Sequence, residues 1–536
     1  MALTDVPAPE VLLARRRPAF APSALSIVAV LAALLAVAPL LFVVALALRP
    51  GEAGVPPALI ARYARDTALL AVGVGVLASL LGALAAWLVV MHRFPGRALF
   101  EWALALPLAA PAYALAYAYA DLLDVAGPVQ SALRGAGMDS GGLQARSLPG
   151  AVLILSAAFY PYVYLTARAA FTSQSVCALE ASRTLGCGAW SAFTRVALPL
   201  ARPAIAAGAA LALMETLADY GAVSYLGVQT LTTGVVRSFS AYGSPQAAAR
   251  LSLILLAAAA LLLAVERAGR KGQSYGASSA RWRELPRFEL RGAAAAAASG
   301  FCALLLTLAL LLPCAWLAFR GLSAAPELDR LAGAASTSLW LAVVGCLITT
   351  ALAAVIAFGG RGRPLPARIA SLGYATPGAV MAVGLLGPAM LVWRGVGAGA
   401  AAALALLLYA YVARLTAAAL EPIDAGLTRV TPSMERAARV LGESEAGALR
   451  RVHAPLARGA LWTAALLVFV DVLKELPATL ILRPFNFDTL AVLANGYAAD
   501  ERLANAAWPA LLIVLLAAGP VAFLSRRIAR SRPGAP

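Results

Sequence analysis

Histidine and charge are what this chain has least of. Only two histidines occur in 536 residues, His92 and His453. That scarcity excludes a His-built metal cluster and a Ser-His-Asp triad, and neither H-E-x-x-H nor G-x-S-x-G is present. A phosphate loop of the form G-x-x-x-x-G-K-[ST] is also missing, so the chain has no such means of hydrolysing ATP. Charged residues make up 13% of the sequence, about half of what a soluble domain uses to cover its surface. The five cysteines (Cys177, Cys187, Cys302, Cys314, Cys346) show no paired spacing, and three lie in apolar runs. Free thiols are expected, not a disulfide framework.

What fills the chain instead is apolar: 62% hydrophobic residues, with a mean hydropathy of +0.81. The apolar residues come in long blocks. "ALSIVAVLAALLAVAPLLFVVALAL" (Ala24–Leu48) carries no charge and is long enough to cross about 30 Å of hydrocarbon as a helix. It exceeds a signal-peptide apolar region, which predicts a retained first span. The fold class is therefore an all-α integral membrane protein, its Ala and Gly suited to close helix packing in lipid. The net charge of +17 fits Arg-rich cytoplasmic loops facing anionic lipid. No aromatic-interleaved basic patch points to nucleic acid.

About twelve spans are predicted, at 24–48, 66–90, 102–123, 149–170, 202–226, 247–265, 292–318, 335–358, 369–393, 397–419, 457–482 and 505–524. An even count puts both termini on one side, and the Arg bias puts that side in the cytoplasm. The basic connector "ERAGRKGQSYGASSARWRELPRFELR" divides the chain. The expected organisation is a cytoplasmic tail (1–23), a six-span unit (24–265), a cytoplasmic basic linker (266–291), a second six-span unit (292–524) and a cytoplasmic tail (525–536).

The two units read as repeats. Gly186 and Gly442 are 256 residues apart, and the same offset pairs Val196 with Val452, Pro199 with Pro455, Glu215 with Asp471, Asp219 with Glu475 and Thr233 with Thr489. Pro111 pairs with Pro377 at 266. Six spans return the chain to its starting side, so the repeats must be parallel, related by a pseudo-twofold along the membrane normal. Pro111 and Pro377 are each expected to kink a span from within.

"EASRTLGCGAWSAFTRVALP" (180–199) and "RAARVLGESEAGALRRVHAP" (436–455) interrupt the apolar pattern at matched places. Each reads as a short helix stopped at a Gly, then a second apolar helix stopped at a Pro, lying on the membrane surface. So short a helix gains little stability alone and should dock on something; an amphipathic connector resting on lipid headgroups is the simpler reading of a single copy. The spacing resembles the cytoplasmic signature of the permease subunits of bacterial type I ABC importers. Glu180, Ala181, Ser182, Gly186, Val196, Leu198 and Pro199 carry the resemblance in the first copy. In the second, Arg436 stands where Glu is expected, with Glu435 before it, followed by Ala437, Ala438, Gly442, Val452, Ala454 and Pro455. The resemblance implies that 180–199 and 435–455 are coupling segments lodged in two copies of a separate ATPase, which binds the ATP and Mg. It further implies an extracytoplasmic (periplasmic) substrate-binding protein, a bacterial inner-membrane location, and no enzyme activity or bound cofactor in this chain. The Arg436 departure leads to the expectation that Gly442→Val does less damage than Gly186→Val.

Charged residues also stand within the spans. Glu215 and Asp219 are four apart on one helical face, as are Asp471 and Glu475, with Lys474 beside them. Such groups face a bundle interior or a wet cavity. They fit either a structural network or the lining of a cation pathway. No metal site is assigned. "ETLADYGAVSYLGVQTLTTG" and "KELPATLILRPFNFDTLAV" resemble the ferric-iron branch of these importers, where fused twelve-span permeases occur, and carboxylate suits a hard cation. Thiamine, polyamine and phosphonate importers share the architecture. An ion-coupled secondary transporter would also suit parallel repeats with buried carboxylates, and a membrane-embedded enzyme lacks the catalytic motif it would need.

Overall fold

The computed structural model describes residues 24–50, 55–138, 144–173, 184, 186, 188–270, 287–360, 365–370, 373, 376–396, 399–427, 430 and 432–530. The first half of the chain forms α1 (Ala24–Ala47), α2 (Pro57–Met91), α3 (Arg97–Ala103), α4 (Ala112–Leu122), α5 (Leu148–Ser173), α6 (Leu198–Ala218), α7 (Gly221–Tyr225), α8 (Leu231–Ser240) and α9 (Pro245–Arg270). The second forms α10 (Gly292–Leu306), α11 (Leu312–Gly321), α12 (Leu328–Gly359), α13 (Gly378–Val396), α14 (Ala400–Leu427), α15 (Ala454–Lys474), α16 (Pro477–Leu482), α17 (Leu490–Ala499) and α18 (Leu503–Arg530). Among the described residues, ten helices are long and apolar enough to cross a membrane, and the bent pair α3–α4 makes an eleventh. The apolar stretch Gly378–Ala389 of α13 stands where the sequence places the ninth span. The result is the all-α membrane fold of about twelve helices that the composition demands.

Each half builds its bundle the same way. In the first, α5 packs between α2 and α6; in the second, α12, α14 and α15 pack on one another. Small residues set the approach. A Cβ at Gly82 would stand 2.7 Å from Val163 Cβ, and one at Gly208 would stand 2.7 Å from Val163 Cα, so both helices close onto α5 at backbone distance. The first span of each half crosses over: α1 packs on α12 and α13, while α11 packs on α4 and α18. The halves are thereby interlocked through lipid-facing helices. Three of the cysteines, Cys302, Cys314 and Cys346, are free thiols; Cys177 and Cys187 lie outside the described residues.

The prolines do not act as the sequence suggests. Pro111 is the cap of α4, in extended conformation (φ −62°, ψ 141°), directly after a 3₁₀ turn at Leu106–Ala109. The chain turns through 90° there. Pro377 likewise stands immediately before α13. With no N–H to donate, each proline starts a helix where that donor is not needed, which costs less than kinking one from inside. The span expected at 102–123 is therefore a broken one.

The linker's end is ordered against the first half. Phe288 and Glu289 form a two-residue parallel pair with His92 and Arg93, and the Leu290 amide donates to the Arg93 carbonyl at 3.1 Å.

Candidate functional site

The two coupling-like segments turn at glycines in the same sequence register. Gly186 has φ +81° and Gly442 φ +82°, left-handed values that favour glycine. Around Gly442 the turn is complete: the Glu443 amide donates to the Ala438 carbonyl at 3.0 Å, the six-to-one bond of a glycine-terminated helix, and that helix is Pro432–Val440, which carries Glu435 and Ala437. Glu180 and Ala181 lie outside the described residues.

Beyond the glycine, the second helix does not stop at its proline. Ala189–Ala192 runs through a π-helical turn, Phe193–Ala197, directly into α6. Glu445–Ala448 runs through a π-helical turn, Leu449–His453, directly into α15. Each of these elements starts 256 residues after its counterpart. Pro199 and Pro455 are the second residues of α6 and α15. A proline in a continuous helix removes one amide and presses its ring on the carbonyl four residues earlier. The π turn relieves that clash: the Leu198 amide donates back to Phe193 and the Ala454 amide to Leu449, five residues each. The part of each segment beyond its glycine is thus continuous with a membrane helix.

The other ends of those helices carry the acids. Asp219 closes α6 with φ −66°, ψ 131°, and Glu475 closes α15 with φ −66°, ψ 120°. Both then cap a short helix. Asp219 Oδ1 accepts from the amides of Ala222 and Val223, each at 3.0 Å. Glu475 Oε1 accepts from the Ala478 amide at 3.2 Å. The other Glu475 oxygen is ion-paired with Arg414 of α14. The glycine of "TPGAVMA" makes room for that pair, since a Cβ on Gly378 would sit 3.2 Å from Glu475 Cδ and 3.5 Å from Arg414 Nη1. Lys474 Nζ is 3.2 Å from Asp471 Oδ1 and donates to the Leu108 carbonyl at 3.3 Å.

These groups surround two adjoining cavities. The larger, about 480 Å³, runs along α6 and α15 on the side of the duplicated segments, with Leu211, Glu215, Ala218, Leu467, Asp471 and Lys474 in its wall. α5 and α14 face each other across it: Tyr162, Leu165 and Thr166 from one, Ala418, Glu421 and Pro422 from the other, again 256 apart. The smaller, about 80 Å³, lies on the far side, bounded by Pro111, Tyr113, Asp219, Tyr220, Leu476 and Pro477. Glu215, Ala218, Arg414, Asp471 and Lys474 belong to both. All five residues singled out within the spans therefore converge on one layer. The four acids are paired by the repeat. The two bases are not: at the same offset, Arg414 and Lys474 meet Ala158 and Ala218.

Arg414 was not among the residues read from the sequence. Its signal was present, a lone Arg in the apolar run "LALLLYAYVARLTAAAL" (Leu404–Leu420), where an unneeded charge would not be kept. One pairing was also misread. Thr489 caps α17, but its structural counterpart is Thr230, which caps α8, and not Thr233. α16 is one residue longer than α7 and the loop after it two residues longer, so the offset grows from 256 to 259 there.

The model for the binding-protein-dependent transport system inner membrane component matches residues 78–269. An Fe(3+)-transport system permease protein of Haemophilus influenzae is 25% identical over 472 residues, covering 86% of this chain and 89% of that protein. A molybdenum transport system permease protein of Escherichia coli is 32% identical over 201 residues, 34% of this chain and 86% of its own length. A sulfate transport system permease protein of Escherichia coli is 28% identical over 213 residues, 39% of this chain and 75% of its own. On the family match and on the 32% identity across 86% of the molybdenum permease, the chain belongs to the binding-protein-dependent inner-membrane components, the permease subunits of ABC importers.

Proposed function

We propose that this chain is the transmembrane pathway of an importer for ferric iron, with an extracytoplasmic binding protein delivering the substrate. Two copies of a separate ATPase dock on 180–199 and 435–455, hold the ATP and Mg, and lie on the cytoplasmic side with both termini. The observation that carries the substrate is extent: the relative named for Fe(3+) aligns across both halves, while those named for molybdenum and sulfate align with little more than a third of the chain. The site's chemistry agrees. Four carboxylates and two bases line the layer. A hard cation prefers such oxygen donors, and a carboxylate wall repels an oxyanion.

The coupling follows from the helices. A displacement at Gly186 or Gly442 passes through a π turn into a single helix of 21 residues, about 30 Å of rigid rod, with the acids at its far end. Moving the two segments together therefore moves Glu215 and Asp471 together. Oxyanion transport is the competing reading, favoured by the 32% identity to the molybdenum permease. Uptake of radiolabelled ferric iron is measured in cells that make the whole transporter, with molybdate or sulfate as competitor. Iron uptake that depends on this chain and ignores both oxyanions is expected. Chain-dependent uptake of molybdate or sulfate, with none of iron, would overturn the substrate.

A further inference from the structure

The acid layer has a two-fold pattern, yet its bases come from the second half alone, and the two bases do different jobs. Arg414 pairs with Glu475, and both belong to the second half, so the pair moves as one body. Lys474 instead reaches out of its half. Its ammonium touches Asp471 of its own helix and the Leu108 carbonyl in the 3₁₀ turn of the first half. Leu108 lines both cavities, so the bond lies across the floor between them. Just beyond it the halves are in close contact: a Cβ on Gly221 would stand 2.8 Å from Leu476 Cδ2.

We propose that Lys474 is the latch of the pathway, a positioning residue whose bond to Leu108 holds the seam between the halves shut on the small-cavity side. The residue type suits the task. A lysine carries its charge on a flexible stem with three donors, and can release one acceptor while keeping another. When the halves part, Asp471 still compensates the ammonium, so opening strands no unpaired charge within the membrane. Closing needs only one hydrogen bond to re-form. An arginine held in a buried charge-assisted pair, as Arg414 is by Glu475, would not release so readily. The first half has Ala218 at this position, so one latch serves the seam. The inference rests on the two halves enclosing a pathway, and not on which substrate passes through it.

The test uses the assembled transporter with its five native cysteines replaced and Ala218→Cys introduced as a reporter in the wall shared by both cavities. A membrane-impermeant thiol reagent is applied from the face opposite the coupling segments. With Lys474 present, labelling is slow. Lys474→Met is expected to speed it by about tenfold or more, the population shift that follows losing one charge-assisted hydrogen bond. Lys474→Arg, which keeps a donor on a stem of similar reach, should stay within a few-fold of the parent. Because Lys474→Met alone leaves Asp471 unpaired, the same measurement is made in Lys474→Met/Asp471→Asn, where both charges leave together and the same acceleration is expected. Unchanged labelling in the double variant, purified as a monodisperse complex, would overturn the latch. So would equal acceleration by Asp471→Asn alone, because that change leaves the Leu108 bond in place. A different substrate would alter none of these rates.

Discussion

Asp219 and Glu475 occupy matched places, and removing the charge at each should have unequal consequences. Both carboxylates accept from backbone amides, and an amide side chain still offers an acceptor oxygen for that task. Asp219→Asn therefore keeps the cap on α7 and should cost less than about 1 kcal/mol, while Asp219→Ala removes it and should cost about 1–2 kcal/mol. Glu475 has a second duty. Its side chain is 4% exposed and that of its partner Arg414 is 16% exposed. Glu475→Gln preserves the cap but takes away the guanidinium's ion-pair partner, which costs about 3–5 kcal/mol when one member of a buried pair is removed. Replacing both, as Arg414→Met/Glu475→Gln, removes the stranded charge and should recover most of that loss. Reversible unfolding in mixed micelles, with the four variants compared at one detergent composition, reads these differences directly. Equal, small losses for Asp219→Asn and Glu475→Gln would refute the reasoning, as would a double variant less stable than Glu475→Gln alone.

Three further outcomes are expected. Gly186→Val should abolish uptake and weaken ATPase co-purification while the chain still inserts. A Cβ at either glycine meets nothing within 4 Å, so the cost lies in the left-handed backbone alone, of order 1–2 kcal/mol; Gly186→Asn, which tolerates that backbone, should retain co-purification. Since φ is the same at Gly442, Gly442→Val should be about as damaging, against the asymmetry that Arg436 suggests from sequence; a clearly milder effect on co-purification would restore it. His92, just past the end of α2, is buried, and desolvation lowers its pKa below 6.5. The folded state thus favours neutral imidazole, so its contribution is complete above pH 6.5 and declines as pH falls below that value; thermal unfolding should show a loss of stability toward about pH 5 that His92→Gln flattens.

The spans and the repeat were legible because lipid imposes a length and forbids stray charge. Ala24–Ala47 and α12 could hardly be anything else. The glycine turns were legible because an αL residue leaves a local signature. What the sequence misplaced depended on neighbours. Pro111 and Pro377 sit in apolar runs that read as continuous helix, and only the 90° turn before α4 and the start of α13 at Gly378 show that they begin helices. Pro199 and Pro455 looked like stops, but a π turn costs little when a long membrane helix follows. The acids were found as a cluster, whereas the division of labour among them was not. Asp219 and Glu475 face amides, and Glu215 and Asp471 face the cavities, because of where α7 and α16 turn back. Arg414 lies some sixty residues from its partner, a separation no local pattern reports.

The most direct measurement is transport by the purified complex, with this chain in proteoliposomes, its ATPase and binding protein added, and ion gradients collapsed by ionophores. An ATP-driven pathway predicts ferric-iron accumulation that starts on adding ATP and Mg, persists without any gradient, and disappears when Gly186→Val and Gly442→Val are combined. Accumulation driven by a proton or sodium gradient in the absence of ATP would contradict it.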